Sequence, residues 1–339
     1  MSKHDVTLVF EDGRTIRLQA DEAETIYLTC LRNRVRIQTD CLEGACATCK
    51  AHCVQGEYRL DDHSEEALSK DEAAQRQVLT CQMHALSDCV IEFPYESKIA
   101  LKSEPKSWPC RVASAEMVSS AVCRLVLEPE GGPQDIGFLP GQYVHLSIPG
   151  TDQQRDYSFA SAPHVADRFT FYIKVLEQGA MSEYAAKRAK PGDGIAMTGP
   201  FGRFYLRPPT RPILMVAGGT GLAPMLCMLD HMVHTGATAQ PVRLLIGANT
   251  PAELFAREQV AAYRDQGIRL DVAWAVVAGS AGWDGATGHV TGLLRDELLA
   301  GDPDVYLCGP PPMIEAAEVW LTGHGVDARR IHTEKFLPS

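Results

Sequence analysis

Short runs of alternating apolar and polar residues dominate the first part of the chain. The runs VTLVF and TIRLQ flank EDGR, and its Asp12-Gly13 pair is a strong signal for a β-hairpin. The pattern then predicts a helix over 23–34 and an apolar strand, CVIEFPY, that closes the unit near Tyr95. These elements predict a small α+β domain over residues 1–95.

The pattern changes twice more along the chain. Residues 96–107, ESKIALKSEPKS, lack periodicity and suit a linker. Between residues 108 and 207 the apolar runs are CRVASAEMV, CRLVLEP, QYVHLSIP, RDYSFAS and FTFYIKVL. Gly and Pro turns separate these runs, so they predict an antiparallel β-barrel, with one helix over 182–190.

Residues 208–339 alternate buried strands with helices. The strands are PILMVA, VRLLIGA, LDVAWAVV and DVYLCG, and the helices are APMLCMLDHMV and residues 253–266. This alternation predicts an α/β domain with a doubly wound parallel sheet. Three domains in a multidomain chain of 339 residues agree with the size limit of a single core.

Charge and hydropathy exclude some function classes. A net charge of -11 argues against a nucleic-acid partner, since such binding depends on clustered Lys and Arg. Residues 1–95 hold 17 acidic against 10 basic residues, which indicates either a docking face for a basic partner or a solvated acidic surface. No signal peptide or membrane span is apparent, so we expect a cytoplasmic protein with no membrane partner.

Eleven cysteines in such a protein make metal ligation the first question. Cys41, Cys46 and Cys49 have the spacing C-x4-C-x2-C, and Cys81 follows 32 positions after Cys49. This is the plant-type [2Fe-2S] spacing. The small residues between the cysteines let backbone amides approach the cluster sulfurs.

Two other metal sites compete with this interpretation. Zinc could use Cys46, Cys49, Cys81 and His84, although that choice leaves Cys41 unused. A Rieske centre needs paired Cys and His ligands, and no C-x-H element supplies them. The other cysteines are expected to be small core residues: Cys30, Cys53, Cys89, Cys110, Cys123 and Cys227.

Two segments of the barrel suit a flat ring with phosphates. Arg155-Asp-Tyr157-Ser158 places a cation, a phenol and a hydroxyl on one strand, although an exposed Arg beside a packed Tyr would look the same. Gly179-Ala-Met181-Ser182 precedes a predicted helix, whose first amides are available for a pyrophosphate.

The parallel-sheet domain has two turns suited to a nucleotide. Ala217-Gly-Gly-Thr-Gly-Leu-Ala-Pro224 joins a strand to a helix, as a dinucleotide phosphate turn or a structural glycine turn. Cys308-Gly309-Pro310 ends a later strand of the same sheet. After VRLLIGA, Glu253 can accept a hydrogen bond from a ribose hydroxyl, which favours NADH, while Arg257 keeps NADPH open.

The order of these motifs, ending in Glu334-Lys335-Phe336, resembles the ferredoxin-NADP reductase superfamily. The whole chain is similar to the reductase components of benzoate and anthranilate dioxygenases, which carry an amino-terminal β-grasp ferredoxin domain. The resemblance implies FAD in the barrel and a nicotinamide nucleotide on the parallel sheet.

The resemblance also assigns roles to single residues. FAD would be held by Arg155, Tyr157, Ser158, Gly179, Met181, Ser182 and Phe336. NADH would be held by Gly218, Gly219, Thr220, Gly221, Cys308, Gly309 and Pro310. Catalytic positions near the flavin N5 and the nicotinamide would be Ser158, Cys308 and Glu334.

The implied activity is electron transfer in aromatic hydrocarbon catabolism. A hydride passes from NADH to FAD, and single electrons then pass through the cluster to a Rieske-type oxygenase. Similar reductases serve diiron monooxygenases or deoxysugar dehydratases. An iron-sulfur redox sensor is the alternative from another class.

Overall fold

The computed structural model describes residues 3–101 and 105–336, which fall into two compact units. The first unit comprises the chain up to Lys106 together with Gly199–Arg203. The second comprises Ser107–Thr198 and the chain from Phe204 onward. The domain boundaries drawn from the sequence stay predictions.

The first unit contains a mixed five-stranded sheet in the order β2-β1-β7-β3-β5, and a small antiparallel sheet of the two strands β4 and β6. Its elements are β1 (Lys3–Val9), β2 (Thr15–Asp21), α1 (Ile26–Arg32), β3 (Lys50–Gln55), β4 (Tyr58–Leu60), α2 (Lys70–Ala74), β5 (Gln77–Leu79), β6 (Met83–Ala85), β7 (Cys89–Glu92) and α3 (Ser97–Ala100). The β1-β2 hairpin is antiparallel as predicted, and β1 pairs with β7 in parallel. Apolar residues from α1 and the sheet form one buried core.

The helix predicted over 23–34 is shorter in the structure. The side chain of Thr25 accepts a hydrogen bond from the Leu28 amide at 3.3 Å and so caps the amino end. Asn33 ends the helix. The predicted linker also contains a helical turn, α3, while its residues 102–104 lie outside the described part of the chain.

The second unit begins with a six-stranded antiparallel sheet in the order β11-β10-β13-β8-β9-β12. Its elements are β8 (Ser107–Met117), β9 (Val122–Pro129), β10 (Tyr143–Ser147), β11 (Gln154–Ser158), β12 (Phe169–Lys174), α4 (Ala180–Glu183), which continues as a π-helical turn (Tyr184–Arg188), and β13 (Gly194–Phe201). The outer strands β11 and β12 also contact each other, as in a barrel. The barrel encloses a buried aromatic and aliphatic core.

The rest of this unit is a parallel sheet in the order β17-β16-β15-β14-β18-β19, which confirms the doubly wound prediction. Its strands and α-helices are β14 (Ile213–Gly218), α5 (Leu222–Thr235), β15 (Val242–Ala248), α6 (Arg257–Asp265), β16 (Leu270–Val276), β17 (Ala286–Thr287), β18 (Asp304–Gly309), α7 (Pro311–Gly323) and β19 (Ile331–Lys335). Short 3-10 turns are Gly219–Gly221, Pro251–Glu253, Val290–Leu293, Asp296–Leu299 and Ala328–Arg330.

Two helices in this unit have boundaries that differ from the sequence prediction. The barrel helix runs from Ala180 to Arg188 rather than over 182–190, because Gly179 is extended and Ala189 leaves the helical region. The helix expected over 253–266 starts only at Arg257. Phe255 turns inward there, with its ring 4.6 Å from that of Tyr172, so the chain is extended before the helix begins.

Within the described ranges, no helix has the length and apolar character needed to cross a membrane.

Candidate functional site

The four predicted ligand cysteines form two pairs in the first unit. Cys41, Cys46 and Cys49 lie in the irregular segment between α1 and β3, and Cys81 lies between β5 and β6. The sulfurs of the buried Cys49 and Cys81 are 3.3 Å apart. At the surface, the Cys41 amide donates to the Cys46 sulfur at 3.5 Å. Two pairs of thiolates are what two irons of a [2Fe-2S] cluster require.

The backbone of the cysteine loop is strained at two non-glycine residues. Leu42 has φ 61° and Ala47 has φ 60°, in the left-handed region. Each such residue costs on the order of 1 kcal/mol or more and persists where the surroundings hold it in place. The bends turn amides toward sulfur, since the Ala45 amide donates to the Cys41 sulfur at 3.4 Å. This loop shape therefore fits a negatively charged cluster.

Gln82 links the two ends of the cysteine set and was missed by the sequence analysis. Its side-chain amide donates to the carbonyl oxygen of Leu42 at 3.0 Å and to the sulfur of Cys81 at 3.6 Å. Its position next to Cys81 was a usable signal. The bond to Leu42, 40 positions away, was visible only in the fold.

The exposed and buried thiols differ in acidity. Hydrogen bonds from the Thr48 side chain and then the Cys41 backbone lower the pKa of Cys46 to about 6. Burial raises the pKa of Cys49 to about 11. Cys46 thus offers a ready thiolate at the surface, whereas the buried Cys49 needs a bound cation to lose its proton.

His84 does not join the cysteines, which counts against the zinc alternative. Its Nδ1 contacts the carbonyl oxygen of Glu22 at 3.0 Å, and its Nε2 contacts Asp61 Oδ2 at 2.8 Å. Both ring nitrogens are therefore engaged by oxygen. Across residues 3–101 and 105–336, no three or more His, Cys, Asp or Glu side chains surround a single metal position.

The predicted flavin residues end strand β11 in the second unit. Arg155 and Tyr157 are both partly exposed, as their expected common side of the strand requires, and Tyr157 packs against the barrel core. The buried Ser158 hydroxyl has no hydrogen-bond partner within the described residues. A buried hydroxyl without a partner costs about 1–3 kcal/mol, so this position fits a bound polar group such as a flavin ring nitrogen.

The Gly179 turn presents backbone amides rather than side chains. Gly179 precedes the first residue of α4, and the Met181 side chain is buried in the barrel core. The Ser182 hydroxyl donates to the carbonyl oxygen of Lys174 at 2.9 Å. With the side chains engaged elsewhere, the first amides of the helical turn are the groups that fit a phosphate.

The two nucleotide turns meet at the carboxyl edge of the parallel sheet. Strand register pairs Ala217 with Cys308, directly before the glycine turn. A Cβ atom on Gly221 would lie 2.1 Å from the Cys308 carbonyl oxygen, so only glycine fits at this contact. The structure thus gathers the predicted residues Gly218, Gly219, Thr220, Gly221, Cys308, Gly309 and Pro310.

The terminal strand brings Glu334 and Phe336 to the same edge. Register pairs Glu334 with Cys308, and the Phe336 amide donates to the Gly309 carbonyl oxygen at 2.9 Å. Burial, with a smaller contribution from Asp156, raises the pKa of the partly exposed Glu334 carboxyl to about 7. Because Asp156 lies between Arg155 and Tyr157, the flavin and nucleotide motifs converge here.

Two charged groups after β15 already have partners. The Glu253 carboxylate accepts from the Asn249 side-chain amide at 3.0 Å and from the Thr250 hydroxyl at 3.5 Å. The Arg257 guanidinium lies 5.6 Å from the ring centroids of both Trp274 and Trp283. Arg257 is thus held by cation–π contacts on two sides.

Comparisons with known proteins match three domain families to the chain. Residues 9–86 match the 2Fe-2S iron-sulfur cluster binding domain, residues 109–205 the oxidoreductase FAD-binding domain and residues 215–319 the oxidoreductase NAD-binding domain. A ferredoxin reductase in carbazole 1,9a-dioxygenase superposes with a TM-score of 0.62 and 26% identity, over 99% of this chain and 100% of that one.

Relatives match over nearly the whole chain. The anthranilate 1,2-dioxygenase electron transfer component of Acinetobacter baylyi is 36% identical over 99% of this chain and 98% of its own length. The 2-halobenzoate 1,2-dioxygenase electron transfer component of Burkholderia cepacia is 37% identical over the same shares. The propane 2-monooxygenase reductase component of Mycolicibacterium smegmatis is 34% identical over 96% and 95%.

Together the sites and the matched domains define an oxidoreductase that uses a [2Fe-2S] cluster, FAD and a nicotinamide nucleotide. The chain belongs to the family of benzoate-type dioxygenase electron transfer components.

The Gln82 contacts predict a change in cluster potential. In Gln82→Met the side chain keeps its approximate size but loses its N–H donor, so the more negative reduced cluster loses stabilisation. We expect the midpoint potential to fall by about 20–60 mV, the one-electron equivalent of one ordinary hydrogen bond. Redox titration followed by electron paramagnetic resonance measures it. The exposed Gln75→Met variant is the control, and an unchanged potential in Gln82→Met would contradict the assignment.

The pKa of Glu334 predicts a pH-dependent stability. The folded-state pKa of about 7 exceeds the ordinary 4.5, so the folded protein holds a proton that the unfolded chain releases between these values. Stability therefore falls as pH rises through this window. Relative to wild type, the melting temperature of Glu334→Gln should rise from about pH 5 to about pH 7 and then level off. The exposed Glu315→Gln serves as control, and a pH-independent difference for Glu334→Gln would show that the carboxyl titrates normally.

Proposed function

We propose that this chain carries electrons from NADH to the Rieske-type oxygenase component of an aromatic-carboxylate dioxygenase, in the cytoplasm. The observation that carries the proposal is the convergence of the flavin strand, the glycine turn and the end of β19 at one edge of the second unit. Asp156, Glu334 and Cys308 mark this meeting point.

The proposed flavin contacts follow from the side chains that face this edge. Arg155 supplies a cation for a pyrophosphate, and Tyr157 offers a ring face beside the barrel core. Gly179, Met181 and Ser182 hold phosphate through backbone amides, while Phe336 covers the ring from the terminal strand. Bound FAD accepts electrons in pairs and passes them on singly.

The proposed catalytic positions orient the reactants rather than transfer protons. The unpartnered Ser158 hydroxyl is available to donate a hydrogen bond to a flavin ring nitrogen. Burial raises the pKa of the Cys308 thiol well above its usual range, so it stays protonated and acts as a packing surface for the nicotinamide. Glu334, with its pKa raised to about 7, is about half protonated at neutral pH and so adds less negative charge than an ordinary carboxylate.

The surroundings of Arg257 support the preference for NADH. Two tryptophan rings contact the Arg257 guanidinium, which restricts its reach toward a 2′-phosphate. The Glu253 carboxylate, fixed by Asn249 and Thr250, still has lone pairs for a ribose hydroxyl. It would also repel a 2′-phosphate.

The first unit supplies the proposed docking face for the oxygenase. Asp62, Glu65 and Glu66 are exposed and contribute to the negative charge of this part of the chain. The neighbouring Asp61 carboxylate contacts His84 and Arg59. The exposed Cys46 belongs to the same unit, so an electron can leave at the surface. A partner with a basic face would bind here with salt-dependent kinetics.

Reduction of a partner oxygenase tests the proposed function. The purified holoprotein, mixed with NADH and an aromatic-carboxylate Rieske oxygenase, should reduce the oxygenase at a rate that falls strongly when NADPH replaces NADH. Stopped-flow absorbance separates flavin, cluster and oxygenase. Reduction of a diiron hydroxylase alone would overturn the assignment. Slow NADH oxidation with every acceptor, including cytochrome c, would favour a redox sensor.

A monooxygenase remains the second candidate acceptor. The observation that favours it is the 34% identity, over nearly full length, to the propane 2-monooxygenase reductase component. The dioxygenase components share more of the sequence, at 36% and 37%, and are therefore preferred.

Neutralising the acidic face tests the docking proposal. In Asp62→Asn/Glu65→Gln/Glu66→Gln, we expect oxygenase reduction to slow by about tenfold or more at low salt and to lose most of its salt dependence. Ferricyanide reduction by NADH should not change. Asp265→Asn/Asp271→Asn/Glu297→Gln removes the same charge from exposed positions of the second unit and serves as control. Equal slowing in both triple variants would point to net charge alone.

A further inference from the structure

Two buried thiols of the first unit form a pair outside the cysteine loop. Cys53 lies in β3 and Cys89 opens the antiparallel neighbour β7. A register shift between Cys53 and Gln55 marks a β-bulge. Cys53 pairs in register with Ile91, so Cys89, two residues before Ile91, lies on the same face of the sheet, and both thiols belong to the same buried core. The sequence analysis treated both as ordinary core residues. Their neighbouring positions in one core distinguish them from an isolated buried cysteine.

The side chain of Arg76 contacts Cys53 at two points. Its Nη2 atom donates to the Cys53 sulfur at 3.5 Å, and its Nε atom donates to the Cys53 carbonyl oxygen at 2.7 Å. It also donates to the carbonyl oxygen of Gly56 and lies over the ring of Tyr58. The guanidinium is thus fixed beside the sulfur. The hydrogen bond from Cys89, followed by Arg76, lowers the pKa of Cys53 despite its burial.

Cys89 is the partner that keeps its proton. Its hydrogen bond to Cys53, together with burial, raises the pKa of its thiol. Its sulfur lies 3.3 Å from the carbonyl oxygen of Ser87 and 3.5 Å from that of Glu57. A Cβ atom on Gly56 would come within 2.5 Å of this sulfur, so the glycine lets the turn close over it. The two thiols are therefore unequal. The Arg76 guanidinium favours ionisation of Cys53, whose thiol donates to the Gln55 carbonyl oxygen at 3.2 Å, whereas Cys89 keeps its proton.

The pair lies directly below the surface. Gln55, Glu57 and Asp88, which flank it along the chain, are exposed, although both sulfurs are buried. A small oxidant reaches such a site by a short local opening of the turn, whereas a protein-sized thiol does not. A cation-stabilised thiolate beside a second thiol is the arrangement found in redox-active dithiols.

We propose that Cys53 and Cys89 are a peroxide-sensitive dithiol that closes to an intramolecular disulfide. The Cys53 thiolate attacks hydrogen peroxide, whose O–O bond breaks to leave a sulfenic acid and hydroxide, which takes up a proton to give water. The Cys89 sulfur then attacks the sulfenic sulfur, so that the S–O bond breaks and a second water leaves. Two thiols lose two electrons and two protons, and one peroxide becomes two waters.

The consequence would fall on the strand that follows the cluster loop. β3 begins at Lys50, directly after Cys49, and its bulge lies at Cys53. A covalent link from Cys53 to β7 would stiffen this strand and restrict the chain beside the inner ligand pair. Peroxide would thus introduce a disulfide into the first unit while the cluster stays bound.

Peptide mapping tests the proposal on the intact holoprotein. Cleavage after Lys50 and Arg59 releases residues 51–59, in which Cys53 is the only cysteine. After brief hydrogen peroxide treatment, alkylation and trypsin digestion, we expect this peptide joined to residues 77–98, with fragment ions placing the link at Cys89. Cluster absorbance should persist, and the buried Cys227 should be alkylated only after unfolding.

Variants separate the two thiols. In Cys89→Ser, dimedone should trap a sulfenic acid on Cys53, whereas in Cys53→Ser the Cys89 thiol should stay reduced. Arg76→Met should slow disulfide formation about tenfold if it raises the pKa of Cys53 by about one unit. The proposal is overturned if Cys53 stays reduced while other thiols react, if its link goes to Cys81, or if the link forms only after cluster absorbance is lost.

Discussion

The close approach of Gly221 to the Cys308 carbonyl oxygen is the contact on which the rest of the second unit depends. It lets the turn after β14 lie against the end of β18, and α5 starts directly behind it. α5 is buried on nearly all sides because it serves two cores. Leu226 packs with the parallel sheet, and the next residue, Cys227, packs with the barrel. The helix therefore fixes the nucleotide turn relative to the flavin strand.

Burial at this edge controls charge as well as shape. Cys308 and Glu334 are register partners on adjacent strands, and burial raises the pKa of both. Near neutral pH the Cys308 thiol is uncharged and the Glu334 carboxyl is about half protonated. In such buried surroundings the remaining polar groups interact more strongly than in water. The unpartnered Ser158 hydroxyl is such a group. Burial thus reduces the negative charge at the edge where flat, partly charged rings would bind.

Local spacing carried most of what the sequence predicted. The cysteine spacing, the glycine turn and the alternation of strands and helices are short-range patterns, and the three-domain architecture follows from them. Contacts between distant positions were not readable: Gln82 with Leu42, or Cys53 with Cys89. Helix ends were also predicted wrongly where tertiary packing overrides local helix propensity. At Phe255, burial of the ring against Tyr172 delays the start of α6. Helix propensity depends on residues close in sequence, so it cannot indicate the effect of a packing partner 83 positions away.

In the first unit, the surroundings of each cysteine determine whether it suits iron binding or reaction with an oxidant. The ligand cysteines lie in a loop of small residues whose amides point at sulfur, and no arginine contacts these sulfurs in the described hydrogen bonds. Cys53 instead has the Arg76 guanidinium beside it. A fixed cation stabilises a thiolate but repels an iron ion, so it favours attack on a neutral oxidant over metal binding. The neighbouring arginine thus distinguishes Cys53 from the ligand cysteines of the same domain.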